Sequence, residues 1–144
     1  MSTTATLNPA IVGQAEKHHA AILSRVLSGT TLDEQRWITL NQTLAAGAPV
    51  ARAEHIVKIA TMTRWTPESV ADAVSALLET GLLASQGDRI EVTDAGRALV
   101  ARVRADSGRI VDAAYGSVSP EDLATAARVL TVITARMAEE LARA

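Results

Sequence analysis

His18 and His19 are adjacent, and an imidazole is the side chain that exchanges protons most readily near neutral pH. Consecutive side chains on a helix point about 100° apart, so the two rings cannot face one ligand together. A metal site built on them lacks a third donor at suitable spacing, and the chain has no cysteine to supply one. Two readings are left. Either one ring is exposed and the other structural, or one lines a pocket as a hydrogen-bond partner or general acid/base. If the chain catalyses anything, His18 and His19 are the catalytic candidates.

Arg36, Trp37 and Tyr115 are the other side chains suited to holding a small molecule. Aromatic residues make up only 2% of the chain, so Trp37 is either core or a pocket wall that could stack on a planar ligand. Arg36 could pair with Asp33, Glu34 or a ligand carboxylate; a solvated arginine is the plainer reading. Tyr115 offers a hydroxyl to a pocket or to a partner chain. Trp65, just before Thr66, reads as a hydrophobic staple. Arg97, Arg102, Arg104 and Arg109 read as a solvated helix face, with Arg97 placed to reach a phosphate. The sequence has no glycine-rich phosphate loop, G-x-S-x-G elbow or H-E-x-x-H pair, and no carboxylate pair at acid/base spacing. These residues favour binding over catalysis and call for no cofactor and no metal.

The elements that must position these residues follow from composition and periodicity. A length of 144 residues suits one domain. The chain is 48% hydrophobic without any phenylalanine, so its core must be Leu, Ile, Val and Ala, which suits close-packed helices. A formal net charge of −2 gives no global attraction to phosphate backbones or anionic membranes. MSTTATLNPA lacks the basic start and apolar run of a secretion signal, and no apolar run reaches the roughly 18 residues of a membrane span. A soluble, cytoplasmic protein without a membrane partner is expected.

Asn8-Pro9 introduces a first helix with Ile11, Ala15, Ile22 and Val26 at helical spacing, closed by Gly29. Thr31 is the N-cap candidate of a second, with Asp33 and Glu34 in its first turn, running through Leu40 and Leu44 to the breaker Gly47–Pro49. A third helix is expected from Val50 to about Met62. Thr66-Pro67 then caps a fourth, whose Val70, Val74, Leu77 and Leu78 form an i, i+4, i+7, i+8 stripe ending at Gly81. LLASQGDRIEVT reads as two short strands around Gly87-Asp88. Asp94 opens a long helix, and Ser119-Pro120 caps a last one carrying Leu123, Ala127, Leu130, Ile133, Met137 and Leu141. The first helix and the last two are apolar beyond what the middle can cover, which a second copy of the chain would explain.

Arg36-Trp37 to Leu40, PESVADAVSALLETGLL, EVTDAGRAL at Glu91 to Leu99 and SPEDL at Ser119 to Leu123 together resemble the MarR family of bacterial winged-helix regulators. The resemblance covers nearly the whole chain and implies a mostly α fold with a small two-stranded β wing. It implies one domain over 1–144, a winged helix-turn-helix lobe at 31–96, and dimerisation helices at 8–29 and 97–144 that interlock in a homodimer. It places a pocket for a small aromatic or apolar ligand between the dimer helices and the lobe, with His18, His19, Arg36, Trp37 and Tyr115 as its candidate lining. Ligand binding there would change the separation of the two reading helices, and half-sites on double-stranded DNA recur on one face only every ~34–36 Å. For DNA contact it points to Arg52, Lys58, Arg64 and Arg89 on the backbone, and to Thr66 and Ser69 on phosphates or base edges.

The sequence departs from that pattern where DNA would be read. Asp72, Ala76 and Thr80 stand where the family usually carries basic residues, and Arg89 is the sole cation of a short wing. Between Val50 and Thr93 four basic side chains face six acidic ones, whereas phosphate contacts need Lys and Arg. Two readings follow: a ligand-responsive DNA-binding transcriptional regulator, or a chain of the same fold that has lost DNA binding and binds or transforms a small molecule in the dimer pocket. A protein–protein interaction module is a third and weaker reading.

Overall fold

The computed structural model describes residues 5–143; the start of MSTTATLNPA and the last position of the expected 97–144 segment lie outside them. The chain forms two compact units, divided between Ser107 and Gly108.

In the first unit, α1 spans Pro9–Leu27, and the Asn8 side chain caps it by accepting the Ile11 N–H at 3.0 Å. α2 spans Glu34–Ala45. Its N-cap is Asp33, not the expected Thr31. The Asp33 carboxylate accepts the Arg36 N–H at 2.9 Å, and a negative charge there also suits the helix dipole. Thr31 instead offers its carbonyl to Nη1 of Arg36 at 3.1 Å.

The third helix also begins later than its sequence suggests. Val50–Ala51 forms a short strand, β1, and α3 follows over Arg52–Thr63. The hairpin strands are β2, Leu83–Gln86, and β3, Arg89–Val92. β1 pairs antiparallel with β3, Val50 opposite Ile90 and Ala51 opposite Arg89, giving a three-stranded sheet in the order β1-β3-β2 where two strands were expected. The outer edge of β3 would otherwise present unpaired backbone groups, and β-branched Val50 fits an extended segment as well as a helix start. The Arg52 N–H extends the pairing to the Asp88 carbonyl at 2.8 Å.

α4 spans Pro67–Glu79 with Thr66 as its N-cap, as the sequence indicates. Val70, Val74 and Leu77 are fully buried, which fixes the face that α4 turns inward and therefore the face left to solvent. The turn before it depends on Arg64, the one non-glycine residue with positive φ (66°) among the described residues. Trp65 packs with Ile59, Ala60 and Val70, joining the residue before the N-cap to the fourth helical residue as a staple does. The main core is aliphatic: Leu40, Val74, Leu77, Leu83, Ile90, Val100 and Val103 carry it, and Trp37 is half-buried against it.

α5 spans Asp94–Tyr115 and crosses the boundary between the units. Thr93 sets its start. The Thr93 hydroxyl accepts the Gly96 N–H at 3.1 Å and donates to the Gly81 carbonyl at 2.6 Å, while the Thr93 N–H reaches the Leu82 carbonyl at 3.1 Å. The T-D-A-G motif therefore clips the end of α4 to the beginning of α5. Arg104, expected on a solvated face, donates to Asn41 Oδ1 on α2.

In the second unit α6 spans Pro120–Arg143. The Ser119 hydroxyl accepts the Asp122 N–H at 3.1 Å, the helix-opening bond read from the sequence. No residue of α6 is buried, although Leu130, Ile133, Met137 and Leu141 form an apolar stripe along it. Among the described residues no helix is long and apolar enough to cross a membrane.

Candidate functional site

The helix-turn-helix is α3, the Arg64-Trp65 turn and α4, and the surface of α4 decides what it can touch. Glu68, Asp72, Glu79 and Thr80 are exposed along it, while Ser75 and Ala76 are half-buried. Thr66 and Ser69 sit at its N-terminus in a mutual arrangement. Oγ1 of Thr66 accepts the Ser69 N–H, and Oγ of Ser69 donates to the Thr66 carbonyl, both at 3.1 Å. The Thr66 hydroxyl hydrogen and the Ser69 lone pairs stay available to an incoming group, beside backbone N–H groups that favour a phosphate.

The four candidate cations do not form one patch. Arg52 and Arg64 lie at opposite ends of α3, about 18 Å apart along its axis. Arg64 is exposed beside Thr66, and its backbone takes the left-handed conformation of the turn. Arg52 is half-buried and donates from Nη2 to the Ser75 hydroxyl at 3.2 Å, bracing α3 against α4. Lys58 and Arg89 are exposed and meet in a cleft lined by Ala46, Pro49, Val50 and His55, where Nη1 of Arg89 also donates to the Pro49 carbonyl at 3.2 Å.

The candidate ligand set is similarly dispersed. Arg36 lines a small cleft of about 110 Å³ with Asp33, Ser69 and Asp72, next to the start of the reading helix. Trp37 contributes to the main core. His18 and His19 are both exposed, each with Nδ1 at 2.7 Å from the carbonyl one helical turn earlier, Gln14 and Ala15 respectively. Tyr115 belongs to the second unit and is 45% exposed there. Among the described residues no group of three His, Asp or Glu side chains is placed to hold a metal ion.

One buried titratable side chain escaped the sequence reading: His55. It is 5% exposed, one of three polar residues in the buried set, with Thr39 and Thr43. Its position four residues before buried Ile59 puts it on the inner face of α3, a signal the sequence does carry. Its partner is tertiary and invisible to periodicity. Thr43 Oγ1 donates to the Thr39 carbonyl at 2.8 Å, so the same oxygen accepts from Nε2–H of His55 at 3.0 Å. This fixes the neutral tautomer with Nδ1 as the bare nitrogen.

Burial, and secondarily the Lys58 ammonium, push the His55 pKa below the ordinary histidine value. The folded chain therefore binds fewer protons than the unfolded one at mildly acidic pH. The stability that His55 contributes is complete above about pH 6.5 and is lost as pH falls through the folded pKa. Thermal melting should accordingly decline between about pH 7.5 and pH 5.5, and the decline should be shallower in His55→Gln, which keeps a donor towards Thr43 but does not titrate. Parallel declines in the two proteins would remove His55 as the cause.

The comparisons with known proteins agree with this architecture. A helix-turn-helix family is matched over residues 16–143. No curated protein matches the sequence. Among solved structures the chain is similar to BpsR of Bordetella bronchiseptica, whose DNA binding is regulated by 6-hydroxynicotinic acid, with a TM-score of 0.70 and 18% identity over 93% of this chain and 97% of that one. It is similar to a MarR family protein of Mycobacterium tuberculosis in complex with DNA, with a TM-score of 0.69 and 17% identity over 90% and 98% of the two chains. The reduced form of MarR from E. coli gives a TM-score of 0.68 and 12% identity over 90% and 95%. At these identities the likeness establishes a MarR-like winged helix-turn-helix fold.

Proposed function

The chain belongs to a helix-turn-helix family, and from that premise we propose that it is a cytoplasmic, ligand-responsive transcriptional regulator that binds double-stranded DNA as a homodimer. The observation that carries this reading is the intact reading unit: a capped α4 with Val70, Val74 and Leu77 of its apolar stripe fully buried, its N-terminal Thr66 and Ser69 presented, and Arg64 exposed at the turn. The solved relatives that bind DNA and answer to a small acid support it by fold. The α1 and α6 helices, exposed in apolar residues such as Ile11, Val12, Leu130 and Ile133, support the dimer. The effector would act by binding one dimer form better than the other, shifting the population towards it.

Its DNA contact is electrostatically lean. Lys58, Arg64 and Arg89 are the exposed cations of the lobe, so a dimer offers about six phosphate contacts at most and log affinity should fall with log salt at a slope no steeper than about −5. Base reading is left to hydroxyls and carboxylates, which suits cytosine N4 donors facing Glu68 or Asp72. The test is titration of a duplex from the chain's own upstream region at several salt concentrations. Arg64→Ala should reduce the slope by about 2 per dimer and weaken binding to all sequences alike.

The second reading, a small-molecule protein without DNA binding, is favoured by the exposed Glu68, Asp72 and Glu79 on the outer face of α4. The same titration decides: no duplex binding at low salt selects it and rejects the regulator.

A further inference from the structure

The cleft where the end of α2, β1 and α3 meet is separate from the reading face of α4, and its lining has the makings of a ligand site. It measures about 300 Å³, at the lower end of the range for small-molecule pockets. Ala46, Pro49 and Val50 give it an apolar wall, and Glu54, His55, Lys58 and Arg89 supply polar groups. We propose that this cleft binds a small 2-hydroxycarboxylate with an aliphatic tail: its carboxylate lies on Lys58 and Arg89, and its hydroxyl donates to Nδ1 of His55.

Three observations support the assignment. First, among the described residues Lys58 has no hydrogen bond or ion pair, although Glu54 stands one helical turn away on the same helix, and Arg89 has only a backbone carbonyl on one of its nitrogens. Two cations with unfilled donors, offset by one carboxylate, suit a monoanion better than a dianion. Second, His55 is almost wholly buried yet lines the cleft. With Nε2–H held by Thr43, its Nδ1 is an acceptor with no partner among the described residues. His18 and His19 differ, since each already has its Nδ1 at a backbone carbonyl. Third, a neutral imidazole is the form that can accept from a hydroxyl, and the buried, Lys58-flanked ring stays neutral at pH 7. A ligand hydroxyl would thus complete the hydrogen bonding of a buried group, which is where polar contacts discriminate most.

The site shares Lys58 and Arg89 with the proposed phosphate contacts, so it is tested on the full chain without DNA, where neither is engaged by a phosphate. The probes are 2-hydroxy-4-methylpentanoate, 4-methylpentanoate and the amide of the hydroxy acid, followed by calorimetry and by the imidazole nitrogen resonances of His55. The hydroxy acid should bind about tenfold more tightly than the acid lacking the hydroxyl, and should shift the Nδ1 resonance of His55. The uncharged amide should bind at least about tenfold more weakly. Lys58→Met, an exposed position, should weaken both acids while keeping their ratio; His55→Gln should bring the ratio towards one. Equal affinities of the two acids for the unaltered chain, or no binding of the hydroxy acid up to about 20 mM, would overturn the proposal. If His55→Gln does not fold, Lys58→Met and the three probes still decide it.

Discussion

Alanine at position 96 is expected to destabilise the chain by about 3 kcal/mol, the largest loss anticipated from any single added methyl group here. Gly96 is buried in the first turn of α5. A Cβ there would collide with the Leu82 carbonyl oxygen and lie 2.7 Å from Cγ1 of Val92. The carbonyl cannot move aside easily, because it already accepts the Thr93 N–H. The Gly96 N–H is also tied to the Thr93 hydroxyl, so α5 cannot lift away without breaking the clip to Gly81. Urea unfolding of Gly96→Ala beside Gly13→Ala gives a matched comparison. A Cβ on Gly13 in α1 meets nothing within 4 Å, so that variant should be neutral or gain about 1 kcal/mol from helix propensity. A loss below about 1 kcal/mol for Gly96→Ala would show that the junction yields, contrary to its geometry.

The second large effect concerns assembly. Ile133→Glu on α6 should weaken the proposed homodimer at least about a hundredfold, because a carboxylate placed in an apolar interface must be desolvated without a partner. No residue of α6 is buried within the described chain and Ile133 is 39% exposed, so the substitution leaves the core untouched and helicity should be unchanged. Sedimentation at micromolar concentration should find monomers, and the proposed duplex binding should fall by a comparable factor, since two half-sites would no longer be joined. The stripe of Leu130, Ile133, Met137 and Leu141 locates the test. An Ile133→Glu chain that remains dimeric would place the interface elsewhere.

Much of the fold was legible because its signals are local. The Thr66 cap, proline at the first position of α4 and the Val70-Val74-Leu77 stripe are all written within one helix length, and the structure returns each of them. Misjudged elements depend on residues distant in the chain. Val50-Ala51 reads as a helix start until β3, some 40 residues later, offers an edge to pair with. Thr31 and Asp33 are both sound caps in sequence, and only the path of the turn shows which one reaches the Arg36 N–H. The candidate site was less legible for the same reason. Periodicity can place Lys58 and Arg89 on surfaces, but not show that they share a cleft with buried His55, whose orientation depends on Thr43 twelve residues earlier. Nor does the sequence reveal that Arg52 is drawn onto Ser75, which turns an expected phosphate contact into a brace inside the lobe.

The Thr93 clip also has a mechanical meaning. One hydroxyl group is donor to Gly81, just past the end of α4, and acceptor from the first turn of α5, and the neighbouring backbone N–H holds Leu82 between them. Such a joint couples the two segments through a single side chain. The end of the α4 segment and the first turn of α5 are therefore held by one residue, so a substitution at Thr93 loosens both at once.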